Sequence, residues 1–468
     1  MSDLEKTIEK KSRIPHVFVL LIIITLCCGI LTWLLPTGVF DRAPNEVGRM
    51  LVVPGSYHKV DPSPVGPFAM VVALYSGILD AAGIVVFIFL SFAGISIMIQ
   101  TGAFNCMIAS LLRILKGKAR VIVIPLFIAL FSIAASTIGM FEEILPFIPI
   151  FVGFAIAMGY DALIGMAMVA IGPALGYSAA AINPFTLGVA QSIAELPPLS
   201  GAWYRIICNV VFVVVASIYM IRYVLMIRKN PEKSLVYGDD FKEFTFDPSA
   251  FDKQKFGIRE KLVILTFIGG IVAVVLGSFL KGWYFEELAA VFILMGVISG
   301  FIMGWGPSNI ARRASASFGD IATAAMMVGF ARAILVVMRQ GNIIDTVVYY
   351  LSLPLNYLPR WIVVEAMLVF QTLLNFLIPS GSGQASTSMP IMAPLSDILG
   401  INRQIAVLAF QFGDALTNIL WPTAFMTVIC GVAKIRVDKW LKWFLPLFGW
   451  LFLTQGVLLA IAMMINYS

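Results

Sequence analysis

Charge is what this sequence has least of. Only 12% of its 468 residues are Asp, Glu, Lys or Arg, against about 25% in a soluble domain. That shortage excludes a soluble enzyme. Disorder is excluded by 60% hydrophobic residues and a mean hydropathy of +0.94, because disordered chains lack apolar surface to bury. Histidine is nearly missing as well: His16 and His58 are the whole complement, which leaves no His-rich metal site. The five cysteines, Cys27, Cys28, Cys106, Cys208 and Cys430, follow no zinc or redox spacing. They read as small hydrophobes of a membrane core. The net charge of +6 comes from loop lysines and arginines, with no basic face interleaved with aromatics, so no nucleic-acid partner is expected. A nucleotide loop is lacking too, since PSGSG at 379–383 has no following Lys. We therefore expect no catalytic residues and no cofactor.

What the chain has is long apolar runs, which imply membrane helices rather than the weaker alternating pattern of a barrel. The first, 14–35, is too long for a signal-peptide core, and Lys6, Lys10, Lys11 and Arg13 hold its start in the cytoplasm. Later runs fall near 83–101, 121–138, 144–159, 162–181, 203–227, 261–280, 284–304, 324–341, 360–378, 386–399, 402–420 and 441–465. A Lys/Arg-containing polar break at 228–260 reads as a cytoplasmic linker. It separates a first membrane half, 1–227, from a second, 261–468. The lipid bilayer is the expected surroundings, in a bacterial cytoplasmic membrane.

The halves resemble each other. FAGISIMIQTGAF (92–104) and FARAILVVMRQGNI (330–343) each precede an amphipathic stretch, which in the first half ends in Arg113, Lys116 and Lys118. Phe131 matches Phe370, and Pro146 and Pro149 match Pro390 and Pro394. Gly159 and Gly172 have the same separation as Gly400 and Gly413, and Asn183-Pro184 and Trp421-Pro422 follow. The shared order points to a duplication. If 121–138/144–159 and 360–378/386–399 are re-entrant hairpins, the Lys and Arg of both halves collect on the cytoplasmic side. The copies are then inverted, with the N-terminus in the cytoplasm and the C-terminus outside. The fold expected is an all-α polytopic membrane protein with inverted repeats, two hairpins and two broken helices, an elevator-type transporter pattern.

Four elements carry polar chemistry to mid-membrane. They are the tip 136–143 (STIGMFEE), the tip 379–387 (PSGSGQAST), and the broken helices 172–184 (GPALGYSAAAINP) and 413–422 (GDALTNILWP). Gly139, Gly172, Pro173, Pro184, Gly381, Gly383, Gly413 and Pro422 free backbone groups there or let them hinge. Such groups survive in hydrocarbon only when protein, water or ligand satisfies them. Opposed helix ends can then hold an ion or a charged metabolite. Glu142, Glu143 and Asp414 are the sharpest candidates, because a carboxylate inside a membrane is costly and functional by default. The plain alternative is that Glu142 caps the helix that follows it. Asp161 and Asp397 read as residues of the hairpin mouths and Asp80 as an interface residue, with Arg332 a candidate partner for Glu365.

GMFEEILPFIP, FLIPSGSGQASTSMPIMAPLSDILGI and QFGDALTNILWPTAFMTVICGVAKI resemble the YfcC-like branch of the anaerobic C4-dicarboxylate carrier family. That family includes basic amino-acid exchangers and belongs to the ion transporter superfamily. The resemblance spans nearly the whole chain. It implies a homodimer with a scaffold and a moving elevator domain; neither His lies near the acidic breaks, so no enzyme activity is expected. On matching positions it implies substrate and ion contacts at Ser136, Thr137, Glu142 and Glu143, and at Ser380, Ser382, Gln384, Ser386 and Thr387. Asn183, Thr186, Asp414, Thr417 and Asn418 belong to the broken helices. The Ser-Asn-Thr tip of better-known superfamily members is not present in that form, so the cation and its ligands stay open, with Na+ near the tips or H+ as the coupling ion.

The expected function is a secondary active transporter, exchanger or symporter, for a small charged metabolite. The acidic set without a matching Arg or Lys in the four motifs favours a basic amino acid such as arginine or ornithine. A Na+- or H+-coupled C4-dicarboxylate carrier is the alternative, and a membrane enzyme or a channel lie behind it.

Overall fold

A computed structural model describes residues 17–44, 50–114, 119–244 and 257–468. Lys6, Lys10, Lys11, Arg13, His16, Lys116, Lys118 and the 245–256 part of the linker fall outside the described residues.

The first half runs α1 (Val17–Leu34), four short strands β1 (Gly38–Val39), β2 (Arg42–Pro44), β3 (Met50–Val52) and β4 (His58–Lys59), then α2 (Pro67–Asp80), α3 (Ala82–Gln100), α4 (Ala103–Ile114), α5 (Ala119–Thr137), a 3-10 turn (Glu142–Phe147), α6 (Ile148–Ala157), α7 (Ala162–Ser178), α8 (Leu187–Ile193) and α9 (Ala202–Lys229). The second half runs α10 (Ile258–Lys281), α11 (Phe285–Ile302), α12 (Pro307–Gln340), α13 (Ile344–Ser352), α14 (Arg360–Leu377), α15 (Gly381–Ile398), α16 (Arg403–Ala415), a 3-10 turn (Leu416–Ile419), α17 (Met426–Val432) and α18 (Val437–Met464). Nine helices among the described residues, α1, α3, α5, α9, α10, α11, α12, α14 and α18, are long and apolar enough to cross a membrane. In a bilayer a helix closes its own backbone hydrogen bonds, which is why apolar runs of this length settle into this form.

Three boundaries differ from the apolar runs. The run at 324–341 is only the end of α12, whose first half carries Arg312 and Arg313 and was too polar to register. α15 begins at Gly381, ahead of its apolar residues, because the Ser380 hydroxyl caps it by accepting the Gly383 N–H. Between α1 and α2, where no apolar run stands, β1 pairs with β4 and β2 with β3 in two small antiparallel sheets, and the chain then enters α2, which the runs also missed. α2 is 14 residues long, short of the roughly 20 needed for a span.

The helices pack as two bodies. In one, α3 lies on α11, α1 on α12, and α12 on both α2 and α3. In the other, each half repeats the same pairing: α5 on α7 and α9, with α6 on α7; then α14 on α16 and α18, with α15 on α16. α7 and α16 are buried along nearly their whole length, at the centre of the second body. Small residues set the closest crossings: Gly77 lies against the Gly329 carbonyl and Ala333, and Gly94 against Phe292. Close backbone approach of this kind is how helices gain packing energy in lipid. The entries to α7 and α16 are also alike. Gly159 and Gly400 both have positive φ (+82° and +63°). Two residues on, Asp161 accepts the Ile164 N–H at 3.0 Å and Asn402 accepts the Gln404 N–H at 2.9 Å.

Candidate functional site

The first tip is held by hydrogen bonds from the broken helix beside it. α5 ends at Thr137, and Gly139 turns the chain with φ +82°. A β-carbon there would also stand 2.6 Å from the Phe185 ring and 2.9 Å from Asn183 Oδ1, so both strain and crowding require glycine. The Tyr177 hydroxyl donates to the Gly139 carbonyl at 2.6 Å. Past the end of α7, the amides of Ala181, Ile182 and Asn183 donate to the Ser136 carbonyl at 3.2, 3.1 and 3.1 Å. Asn183 Nδ2 donates to the Ala135 carbonyl at 3.2 Å, while its Oδ1 accepts the Phe185 amide at 2.8 Å. Protein groups thus satisfy the opened backbone of this buried segment.

The two glutamates of this tip part company. Glu143 is buried and turns back, its Oε2 accepting the Phe141 N–H at 2.8 Å. Glu142 instead lines a cavity. No side chain caps the 3-10 turn or α6, so the capping role considered for Glu142 is not seen, and the Glu143 bond closes the tip itself.

The second tip is organised by Asn375, which the sequence motifs had passed over. Its Nδ2 donates to Asp414 Oδ1 at 2.8 Å, Gln384 Oε1 at 3.1 Å and Asn418 Oδ1 at 3.3 Å. One amide thereby ties α14 to α15, α16 and the 3-10 turn after it. Gln384 Nε2 donates to the backbone and side-chain oxygens of Gln371 at 2.9 and 2.8 Å, and Gln371 bonds Ser388. Thr417 Oγ1 turns inward to the Gly413 carbonyl at 2.6 Å. Gly172 and Gly413 serve the crossings: a β-carbon would meet the Ile128 carbonyl at 2.9 Å in one case and the Thr372 amide at 2.8 Å in the other. Pro173 lies inside α7, next to Gly172. Pro184 and Pro422 lie in the irregular segments that precede α8 and α17.

A cavity of about 270 Å³ lies between the two bodies, and both tips and both breaks reach it. Of the candidates, Gly139, Glu142, Thr186, Ser380, Gly381, Ser382 and Asn418 line it. Ser136, Glu143, Asn183, Gln384, Asp414 and Thr417 stand behind that lining, buried and engaged in the bonds that shape it. Gly383, Ser386 and Thr387 face elsewhere, into a second cavity of about 420 Å³ beside Arg42, Arg339 and Asp345. Thr137 lines neither cavity and bonds the Ile133 carbonyl of its own helix.

The other body contributes Asp80, Tyr284 and Arg332 to the 270 Å³ cavity. Arg332 Nε stands 3.1 Å from Asp80 Oδ2, and Arg339 Nη1 stands 3.5 Å from Asp80 Oδ1. This corrects the pairing of Arg332 with Glu365. Glu365 faces α18, where a β-carbon on Gly456 would be 3.0 Å from its Oε2. Asp80 closes α2 at its break with α3, so a polar residue at a helix break was the signal available for it. Among the described residues, no group of three or more His, Cys, Asp or Glu is placed to hold a metal ion.

Residues 14–464 match the DcuC family, described as C4-dicarboxylate anaerobic carrier. The chain is 29% identical over 502 aligned positions to the Escherichia coli (strain K12) protein named "Putative basic amino acid antiporter YfcC", covering 98% of each chain. It is 30% identical over 421 positions to an uncharacterized Haemophilus influenzae protein, covering 89% of this chain and 82% of that one. Two solved structures align with 17% identity: the Alcanivorax borkumensis YdaH transporter, with a TM-score of 0.43 over 97% of this chain and 99% of that one, and Neisseria gonorrhoeae MtrF, with a TM-score of 0.44 over 97% and 96%. The apolar helices and the family match together make this a multi-pass membrane protein of a transporter family: the chain belongs to the C4-dicarboxylate anaerobic carrier family.

Proposed function

We propose that the protein is a secondary active transporter that exchanges a small basic amino acid across the cytoplasmic membrane by alternating access. The observation that carries this is the cavity between the two bodies, where two tips and two helix breaks converge on Glu142 with Asp414 close behind. Carboxylates at membrane depth suit the charged side chain of a basic cargo, and the Escherichia coli relative is named for such an exchange. The body of α5–α9 and α14–α18 carries the tips as re-entrant hairpins and slides against the body of α1–α4 and α10–α13. With the linker inside, an even number of crossings precedes it and an odd number follows, which inverts the second half and leaves Ser468 outside. Na+ or H+ is the coupling ion where net uptake occurs, and the assembly is a homodimer.

A second reading, a C4-dicarboxylate carrier, draws on the family description and on Arg332 in the cavity. One uptake panel decides between them. Proteoliposomes are loaded with basic amino acids or succinate and given imposed proton or sodium gradients. Saturable uptake of external arginine, accelerated by internal arginine or ornithine, supports the exchanger. Succinate uptake without arginine uptake replaces it with the second reading. Labelling of a single cysteine introduced into the linker by an impermeant thiol reagent in intact cells would overturn the topology.

A further inference from the structure

The charges on the α1–α4/α10–α13 side of the cavity do not cancel. One carboxylate, Asp80, is shared by two guanidinium groups, Arg332 at 3.1 Å and Arg339 at 3.5 Å. The two arginines divide between the cavities: Arg332 lines the tip cavity and Arg339 the second one. Arg339 alone suffices to neutralise Asp80, which leaves Arg332 with a surplus unit of positive charge facing the tips. Among the described residues Arg332 is the only Arg or Lys lining that cavity. It meets Asp80 through Nε, and a guanidinium held along one edge keeps a further pair of N–H groups for a bidentate carboxylate.

The lining offers two further groups suited to an anion. The first turn of the 18-residue helix α15, with Ser380, Gly381 and Ser382, borders the cavity, and helix N-termini attract carboxylates. Thr186 borders it too, only 3% exposed, and its buried hydroxyl has no hydrogen-bond partner among the described residues. A buried hydroxyl without a partner is costly and is satisfied when a ligand oxygen arrives. Glu142 brings the opposite charge to the same lining and makes no ion pair among the described residues.

We propose that Arg332, with the first turn of α15 and Thr186, recognises the α-carboxylate of the cargo, so that the protein selects amino acids over the amines left by their decarboxylation. The inference rests on the reading of the protein as a carrier of basic amino acids and names the group that reading leaves open. Because Arg332 belongs to the body opposite the tips, cargo meets it only while the two bodies stand as they do here.

The test is equilibrium binding of radiolabelled L-arginine to the purified full-length protein, with competition by agmatine, which is arginine without its carboxylate. Wild type should bind agmatine at least tenfold more weakly than arginine. Arg332→Gln should weaken arginine at least tenfold and leave agmatine unchanged or tighter, while Arg332→Lys falls between. Asp80 keeps Arg339 in these variants, so no carboxylate is stranded. Equal wild-type affinity for arginine and agmatine overturns the inference, as does an equal loss of both ligands, or of neither, in Arg332→Gln. These results leave the basic-amino-acid reading intact. Binding of succinate with no binding of arginine or agmatine overturns that reading, and the inference with it.

Discussion

Replacing Gly381 by alanine puts a methyl group where Thr186 already stands. The added β-carbon would fall well inside 3.0 Å of Thr186 Cγ2 and 3.2 Å from Asp414 Oδ2. Thr186 is buried and β-branched, so it has little rotamer freedom with which to retreat. Either the tip lifts or the segment 179–186 shifts, and overpacking of this kind costs about 1–3 kcal/mol. If the strain is relieved in the free protein and must be restored on binding, arginine affinity falls roughly five- to 150-fold, at tenfold per 1.4 kcal/mol. Thr186→Ser removes the offending methyl and keeps the hydroxyl. The double variant Gly381→Ala/Thr186→Ser should therefore recover most of the loss, with a coupling energy of about 1–2 kcal/mol. Binding to purified protein supplies the assay, and thermal melting of the same samples separates site damage from misfolding. Normal affinity in Gly381→Ala, or a double variant no better than the single, would refute contact between this tip and this break. Gly383 gives the contrast: its nearest neighbour would be Ser380 Oγ at 3.2 Å, so Gly383→Ala should be milder.

Glu142→Gln should weaken arginine binding at least tenfold, because that carboxylate lines the cavity, whereas Glu143→Gln should chiefly lower thermal stability by weakening its bond to the Phe141 amide; the reverse pattern would contradict the division of roles. Arg205 is fully buried and donates to Gln411, Gln404 and the Ser200 carbonyl at 2.7, 2.8 and 2.8 Å. Arg205→Ala strands the Gln411 oxygen and leaves the other two acceptors only Gln191 Nε2, at 2.8 Å from the Ser200 carbonyl and 3.5 Å from Gln404 Oε1; it should cost about 3 kcal/mol, seen as a lowered melting temperature, and an unchanged melt would show that water satisfies them. Arg42 grips Asp345 with two bonds, of 2.9 and 2.8 Å, so Arg42→Gln should loosen the strands over α15. Protease added to right-side-out vesicles should then cut within 40–59 roughly tenfold faster, following the larger open population; an unaltered rate would count against that latch.

Much of the architecture was legible because hydrocarbon is an exacting solvent. The runs of α1, α3, α5, α9, α10, α11, α14 and α18 stand out by composition alone, and both tips announce themselves as Gly, Ser and Glu between such runs. α2 did not, being too short to read as a span and adjoining a polar loop. The first half of α12 did not either, because its arginines and serines are helical without being apolar. At the site, the sequence could mark Glu142, Ser380, Gly381 and Thr186 as chemistry beside a break. It could not tell that Ser386 and Thr387 face a different cavity from Ser382, since that depends on how α15 is rotated against β3 and α8. Asn375 and Gln371 sit within an ordinary apolar run and gain their importance only from what α15 and α16 bring to them. The Arg332–Asp80 pair joins residues distant in the chain, and no spacing rule reaches that far.

The central claim is that one site opens alternately to the two sides of the membrane, and Ser382 reports on it most directly. It is exposed and lines the tip cavity, so Ser382→Cys, with the five native cysteines replaced, can be probed by an impermeant maleimide in right-side-out and inside-out vesicles. Labelling from both sides, slowed by arginine in both, is the predicted result. Labelling from one side only, at a rate arginine does not change, would contradict the account.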